Sequence, residues 1–237
     1  MPRRARVILP GTPLHLIQRG KNRAACFFDD QDYQFYLEWL AEYARGTGCS
    51  VHAYVLMTNH VHLLVSGKTS RSVGTMMKRL GQRYVQYVNR TYRRSGTLWE
   101  GRFRSCLTRE EAYVLACYRY IELNPVRAQM VKHPGEYRWS SYQTNAQGGA
   151  TPWIVPHDTY LRLGNSRDER QQRYRELFKV ELDPGMIDQI RTATNGNYAL
   201  GSERFAAEVG AMLARRVTPG KSGRPRKVDD SSNLELL

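Results

Sequence analysis

The chain has 237 residues, 41% of them hydrophobic, and sets 36 lysines and arginines against 22 acids for a formal net charge of +14. That length builds a core without disulfide or metal staples, and a charge excess of this size points to a polyanionic partner, nucleic acid before membrane. No apolar run approaches the roughly 18 residues that would span a bilayer, and the opening stretch lacks the apolar core and small-residue cleavage site of a signal peptide, so the expected location is cytoplasmic.

Residues 11–19, GTPLHLIQR, alternate apolar and polar positions after a Gly-Thr-Pro opening and predict a first strand. Residues 29–48 follow with acids at the start, glycines at the end, and Phe35, Leu37, Leu40, Tyr43 and Ala44 near helical spacing. Residues 50–57 and 60–67 predict two strands, joined through Thr58 and Asn59 as a hairpin. A second helix is expected over about residues 70–94, with Val73, Met76, Met77, Leu80, Tyr84 and Val88 on one side. A turn and a strand fall within 96–108, and a third helix within 109–128, halted near Pro125.

This order predicts an α+β domain over residues 1–145, a small antiparallel sheet with helices packed on it. Residues 145–152, NAQGGATP, are the expected linker to a helical C-terminal extension, 146–237. Its segments 183–196 and 202–216 could pair as a helix-turn-helix. Residues 221–237 are polar and contain Pro and Gly, and are expected to be disordered when free.

Within YVLMTNHVHLLVSG, residues 54–67, the period-two alternation of a strand places His60 and His62 on one face and Val61 on the other. Two neutral imidazoles can hold a divalent metal there and leave positions open for oxygen ligands; the plainer alternative is a solvent-facing or hydrogen-bonded pair. In CYRYIELNPVRA, Tyr118 and Tyr120 differ by about 200° around a helix, so only one of them can face the histidines. Asn124, about one turn beyond Tyr120, shares its face and could complete a metal site or cap the turn that begins at Pro125. Without the histidines, Tyr120 reads as a core aromatic beside Tyr113, Tyr118 and Ile121. The four cysteines, Cys26, Cys49, Cys106 and Cys117, form no CxxC pair and read as small buried hydrophobes.

Between Lys78 and Arg104 lie Arg79, Arg83, Arg90, Arg93, Arg94 and Arg102 against a single acid, Glu100, with Tyr84, Tyr87, Tyr92, Trp99 and Phe103 among them. Arginines that pair with phosphates beside aromatic faces that stack bases are the usual combination for single strands and hairpins; the alternative is a solvated basic face over a core-packed aromatic stripe.

Taken together and in order, HLIQRGKNRAACFF, NHVHLLV, LWEGRFRS and YRYIELNPVRA resemble the motifs of the single-tyrosine HUH transposases, and most closely the REP-associated tyrosine transposases, across residues 1 to about 145. The resemblance implies a ferredoxin-like domain in which His60 and His62 bind Mg2+ or Mn2+, Asn124 is the third ligand and Tyr120 is the nucleophile. It implies nicking and rejoining of single-stranded, hairpin-bearing DNA through a 5′-phosphotyrosine intermediate. Candidate DNA contacts are Arg19, Lys21, Asn22 and Arg23 in one polar loop, and Arg79, Arg83, Arg102 and Arg104 in the basic segment. The tail GRPRK resembles an AT-hook core, with Arg224 and Arg226 suited to an A·T-rich duplex, though Ser222 stands where an Arg is common. The chain is expected to act as a monomer or homodimer. Two other readings compete: a catalytically silent DNA-binding regulator of repeat elements on the same fold, and a hydrolytic zinc enzyme that adds another histidine to the pair. Against the latter, His15, His52, His133 and His157 have no ligand-like spacing to His60 and His62.

Overall fold

In the computed structural model, which describes residues 5–220, four strands pair antiparallel in the order β2-β3-β1-β4. They are β1 (Leu14–Arg19), β2 (Cys49–Met57), β3 (His60–Gly67) and β4 (Arg104–Leu107). Helix α1 (Asp30–Thr47) connects β1 to β2, and α2 (Ser72–Thr91) connects β3 to β4. The result is the expected α+β, ferredoxin-like arrangement.

Local chemistry sets these elements. Asp29 accepts the Gln31 N–H while the Asp32 carboxylate accepts the Asp29 N–H, a reciprocal cap that starts α1. Gly48 ends it at φ 66°, a left-handed conformation in which an added side chain is strained. Thr58 and Asn59 form the tight connection that pairs Met57 with His60. In α2 the buried positions include Val73, Met76, Met77, Leu80, Tyr84 and Val88, the stripe read from the sequence. Burying each large apolar side chain of that stripe contributes about 1.5–3 kcal/mol.

Alternation along β1 divides the two faces of the sheet. Gln18 lies beside Gly81 of α2, whereas His15, Ile17 and Arg19 line a cavity on the opposite side. That opposite face is covered by α3 (Glu111–Glu122), which packs on β2 and β3. Leu123 interrupts the helix, and a single turn, α4 (Asn124–Arg127), follows with Pro125 in its first turn. Leu123, not Asn124, occupies the cap position of that turn, because Asn124 already has helical backbone. Its amide therefore does not cap.

The aromatic residues of the basic segment serve the core. Tyr84, Trp99 and Phe103 are buried, and the Tyr87 and Tyr92 hydroxyls both donate to the Asp32 carboxylate. Stacking on bases is not open to the buried three in this arrangement.

Residues after 138 seal both edges of the sheet. Leu56 N donates to Trp139 O and Val155 N to Val51 O along β2, and on the far side Leu200 N donates to Leu107 O at β4. Unpaired strand edges invite association, and both are closed. Short helices α5 (Tyr142–Gln147), α6 (Asp158–Leu161) and α7 (Arg167–Glu176) precede α8 (Pro184–Gly196) and α9 (Glu203–Met212). In the expected linker, Asn145 and Ala146 are buried at the end of α5, and Gly148 at φ 78° closes it. Helix α8 packs on β4, and the segment between α8 and α9 adds itself beside β4, so the two helices do not form the tight pair of a helix-turn-helix. Residues 221–237, with Arg224, Arg226 and the expected disordered tail, lie outside the described residues.

Candidate active site

Strand β3 presents His60 and His62 to the α3 side of the sheet, with ring centroids 5.0 Å apart. Of the two tyrosines in question, Tyr120 is the one that meets them. Its ring lies edge-on to His62 at 5.7 Å and to His15 at 5.4 Å. Tyr118 points away into an aromatic cluster with Tyr160 and Tyr174. Asn124 and Arg127, carried by α4, join His60, His62 and Tyr120 around a cavity of about 300 Å³. The 200° separation of the two tyrosines thus resolves in favour of Tyr120.

Each histidine is oriented through its Nδ1. His60 Nδ1 lies 2.6 Å from Asn59 Oδ1, and His62 Nδ1 lies 2.8 Å from His15 Nε2. Nε2 of each ring is thus the atom available to a ligand. Burial, and then the positive charges of Arg19 and Arg127, push His60 down to about 4 despite an opposing contact with Asn124. His62 is driven well below its ordinary value by burial first, then by His15, His60 and the same arginines. Both rings are neutral at physiological pH, the form in which imidazole ligates metals.

Arg127 is a member that motif reading misses. Its guanidinium lies 4.2 Å from the Tyr120 ring centroid, and Nη2 donates to Tyr120 O at 2.6 Å. Nη1 is buried with no partner. Burial lowers its pKa to about 10, which leaves it charged at neutral pH. His15 is a second such member: it lacks ligand-like spacing in sequence, yet it packs on His62 in the fold. Arg191, Thr194 and Asn195 of α8 close the cavity from the C-terminal side.

Residues 10–124 match the family described as IS200-like transposases. The match spans just under half of the chain. The fold is that of a REP-associated tyrosine transposase solved bound to a REP hairpin, at a TM-score of 0.56 and 17% identity over 67% of this chain and 93% of that one. A second structure, of a candidate transposase from Deinococcus radiodurans R1, aligns at 19% identity with a TM-score of 0.33 over 54% of this chain and 92% of that one. No curated protein matches the chain.

The fold distributes the expected DNA contacts unevenly. Arg19 borders both the site cavity and a neighbouring groove of about 700 Å³ that also holds Arg6, Arg102 and Arg104. Lys21, Asn22 and Arg23 form an exposed turn directly after β1, tied to the β2–β3 loop by Asn59 Nδ2 donating to Arg23 O. Asn59 also holds His60 Nδ1, so this turn is one residue removed from the histidine pair. Arg79 and Arg83 sit on α2, across the sheet from the histidines, and Arg83 is already paired with Glu42 at 2.7 Å and stacked on Trp39.

Proposed function

We propose that this protein is a transposase that nicks and rejoins single-stranded, hairpin-bearing DNA, with Tyr120 as the attacking nucleophile. The observation that carries this reading is the convergence of Tyr120, His60, His62 and Asn124 on one cavity flanked by arginines. The hairpin in the structural neighbour supports a hairpin substrate.

Two neutral imidazoles and an amide oxygen make a donor set that suits Mn2+ or Mg2+, with positions left for phosphate oxygens. His60, His62 and Asn124 would hold the ion, which would polarise the phosphate and stabilise charge on the departing oxygen. The chain supplies the rest. Tyr120 Oη forms the new O–P bond as the P–O3′ bond breaks, and the proton lost by the phenol balances the one gained by the released 3′-hydroxyl. Because a phenoxide is also a good leaving group, the phosphotyrosine link keeps the bond energy for rejoining, and no nucleotide cofactor is needed. Arg19 and Arg127 place positive charge where the phosphate must sit.

The test is incubation with hairpin-bearing single-stranded DNA and Mn2+. A covalent protein–DNA adduct forms with the wild type and is lost in Tyr120→Phe. Tight hairpin binding without any adduct, under either ion, would instead establish the DNA-binding regulator.

A further inference from the structure

The hydrogen bond on His62 continues beyond its first partner. His15, fully buried in β1, lies edge to edge with His62, the ring centroids 5.0 Å apart and the planes 13° from parallel. Its Nε2 meets His62 Nδ1 at 2.8 Å, and its Nδ1 meets Thr194 Oγ1 at 3.0 Å. Thr194, in α8, is also buried, and its hydroxyl donates to Ile190 O at 2.7 Å, one turn back in the same helix.

We propose that Thr194 and His15 are positioning residues that fix the tautomer of His62, so that its Nε2 lone pair is kept for a divalent ion. The inference rests on the reading of His60 and His62 as the metal pair. It follows from counting protons. A hydroxyl has one hydrogen, and Thr194 gives it to Ile190 O at 2.7 Å, a carbonyl that can only accept; Cys106 Sγ, 3.2 Å from the same oxygen, is a weak partner. The oxygen therefore presents a lone pair to His15. His15 Nδ1 then carries its hydrogen, and in a neutral ring Nε2 does not. The proton between the two imidazoles accordingly belongs to His62 Nδ1, which leaves His62 Nε2 bare. Outer-shell partners of this kind set ring orientation and basicity in metal-binding histidines.

Two consequences follow. The C-terminal extension takes part in the site, because the group that sets the polarity of the relay comes from α8. The ligand atoms of His15, Cys106 and Cys117 lie within 4.8 Å of one another, a spacing that fits one ion. Such an ion would take the His15 Nδ1 lone pair, return the shared proton to His15 Nε2 and put a hydrogen on His62 Nε2. The relay and an ion at that cluster exclude each other.

The test pairs Thr194→Val, which keeps the shape and removes the hydroxyl, with Thr194→Ser, which keeps the hydroxyl. The full chain is titrated with Mn2+ by electron paramagnetic resonance without DNA, and imidazole tautomers are read by 15N NMR in the metal-free protein. His62 is expected in the Nδ1–H form in the wild type. Thr194→Val and His15→Ala weaken Mn2+ binding roughly 10- to 100-fold, and Thr194→Ser restores it. His62 found with hydrogen on Nε2 in the wild type, a readout that needs no variant, overturns the proposal. So does Thr194→Val with unchanged Mn2+ affinity while His62→Ala abolishes binding. If His62→Ala also leaves Mn2+ binding intact, the metal reading itself is what fails.

Discussion

His60 and His62 have their Nδ1 atoms bonded to protein and their rings kept neutral by burial and by Arg19 and Arg127. Neither ring is placed to bind the DNA backbone as a cation. His60→Ala and His62→Ala should each reduce cleavage at least about 100-fold while leaving hairpin affinity within about threefold, measured by gel assays of cleavage and by fluorescence anisotropy. Equal losses of both would make the histidines DNA-binding groups. Arg127 gives a second prediction at this scale. Its planar fork both stacks on Tyr120 and bonds its carbonyl, and lysine cannot reproduce that geometry. Arg127→Lys should cut cleavage roughly 10- to 100-fold with the fold retained; unchanged turnover would reduce Arg127 to packing. The histidine pair was legible because strand alternation is local. His15, Arg127 and Thr194 were not: His15 and Thr194 are 179 residues apart in the chain, and their meeting depends on strand register and on the return of α8.

The helix that bears Tyr120 is anchored at its end by Glu122, which is fully buried. Its carboxylate accepts from Ser141 Oγ, Asn145 Nδ2 and Tyr174 OH at 2.5, 2.8 and 2.7 Å. Burial nevertheless pushes its pKa up to about 7 from an ordinary 4.5, the three donors pulling the other way. The folded state therefore keeps a proton that the unfolded chain has released in this window. Stability from this group is complete below about pH 4.5 and is lost as pH rises through about 7. Relative to Glu122→Gln, the wild type should lose on the order of 3 kcal/mol across that window, read from urea midpoints at several pH values; a pH-independent difference would place the carboxylate ionised throughout. Element boundaries were legible where periodicity was strong, as in α2. The strand-like pairing of residues 198–200 with β4 was not, because NYALG carries turn residues and its extended form is imposed by the sheet edge it closes.

At the scale of the whole molecule, a net charge of +14 favours a polyanion such as DNA but does not say where a strand would lie. The distribution of arginines is more informative: Arg19, Arg102 and Arg104 share the groove that opens beside the site, whereas Arg83 is satisfied by Glu42. A double Arg102→Ala, Arg104→Ala variant should weaken binding and lower the slope of log K against log salt by about 1.4, some 0.7 for each single-strand phosphate no longer neutralised. Arg83→Ala should lower it by less, since its charge already has an internal partner; the reverse ranking would move the DNA path to α2. Composition points to a polyanion, and only the fold shows which basic residues border the candidate site.

The most direct measurement is the chemical identity of the cleaved product. After reaction with hairpin-bearing single-stranded DNA and Mn2+, the adduct is trimmed with nuclease, digested with protease and mapped by mass spectrometry. The account predicts a nucleotide 5′-phosphate on Tyr120 alone. A phosphate on Tyr113 or Tyr118, or cleavage with no covalent intermediate, would contradict it.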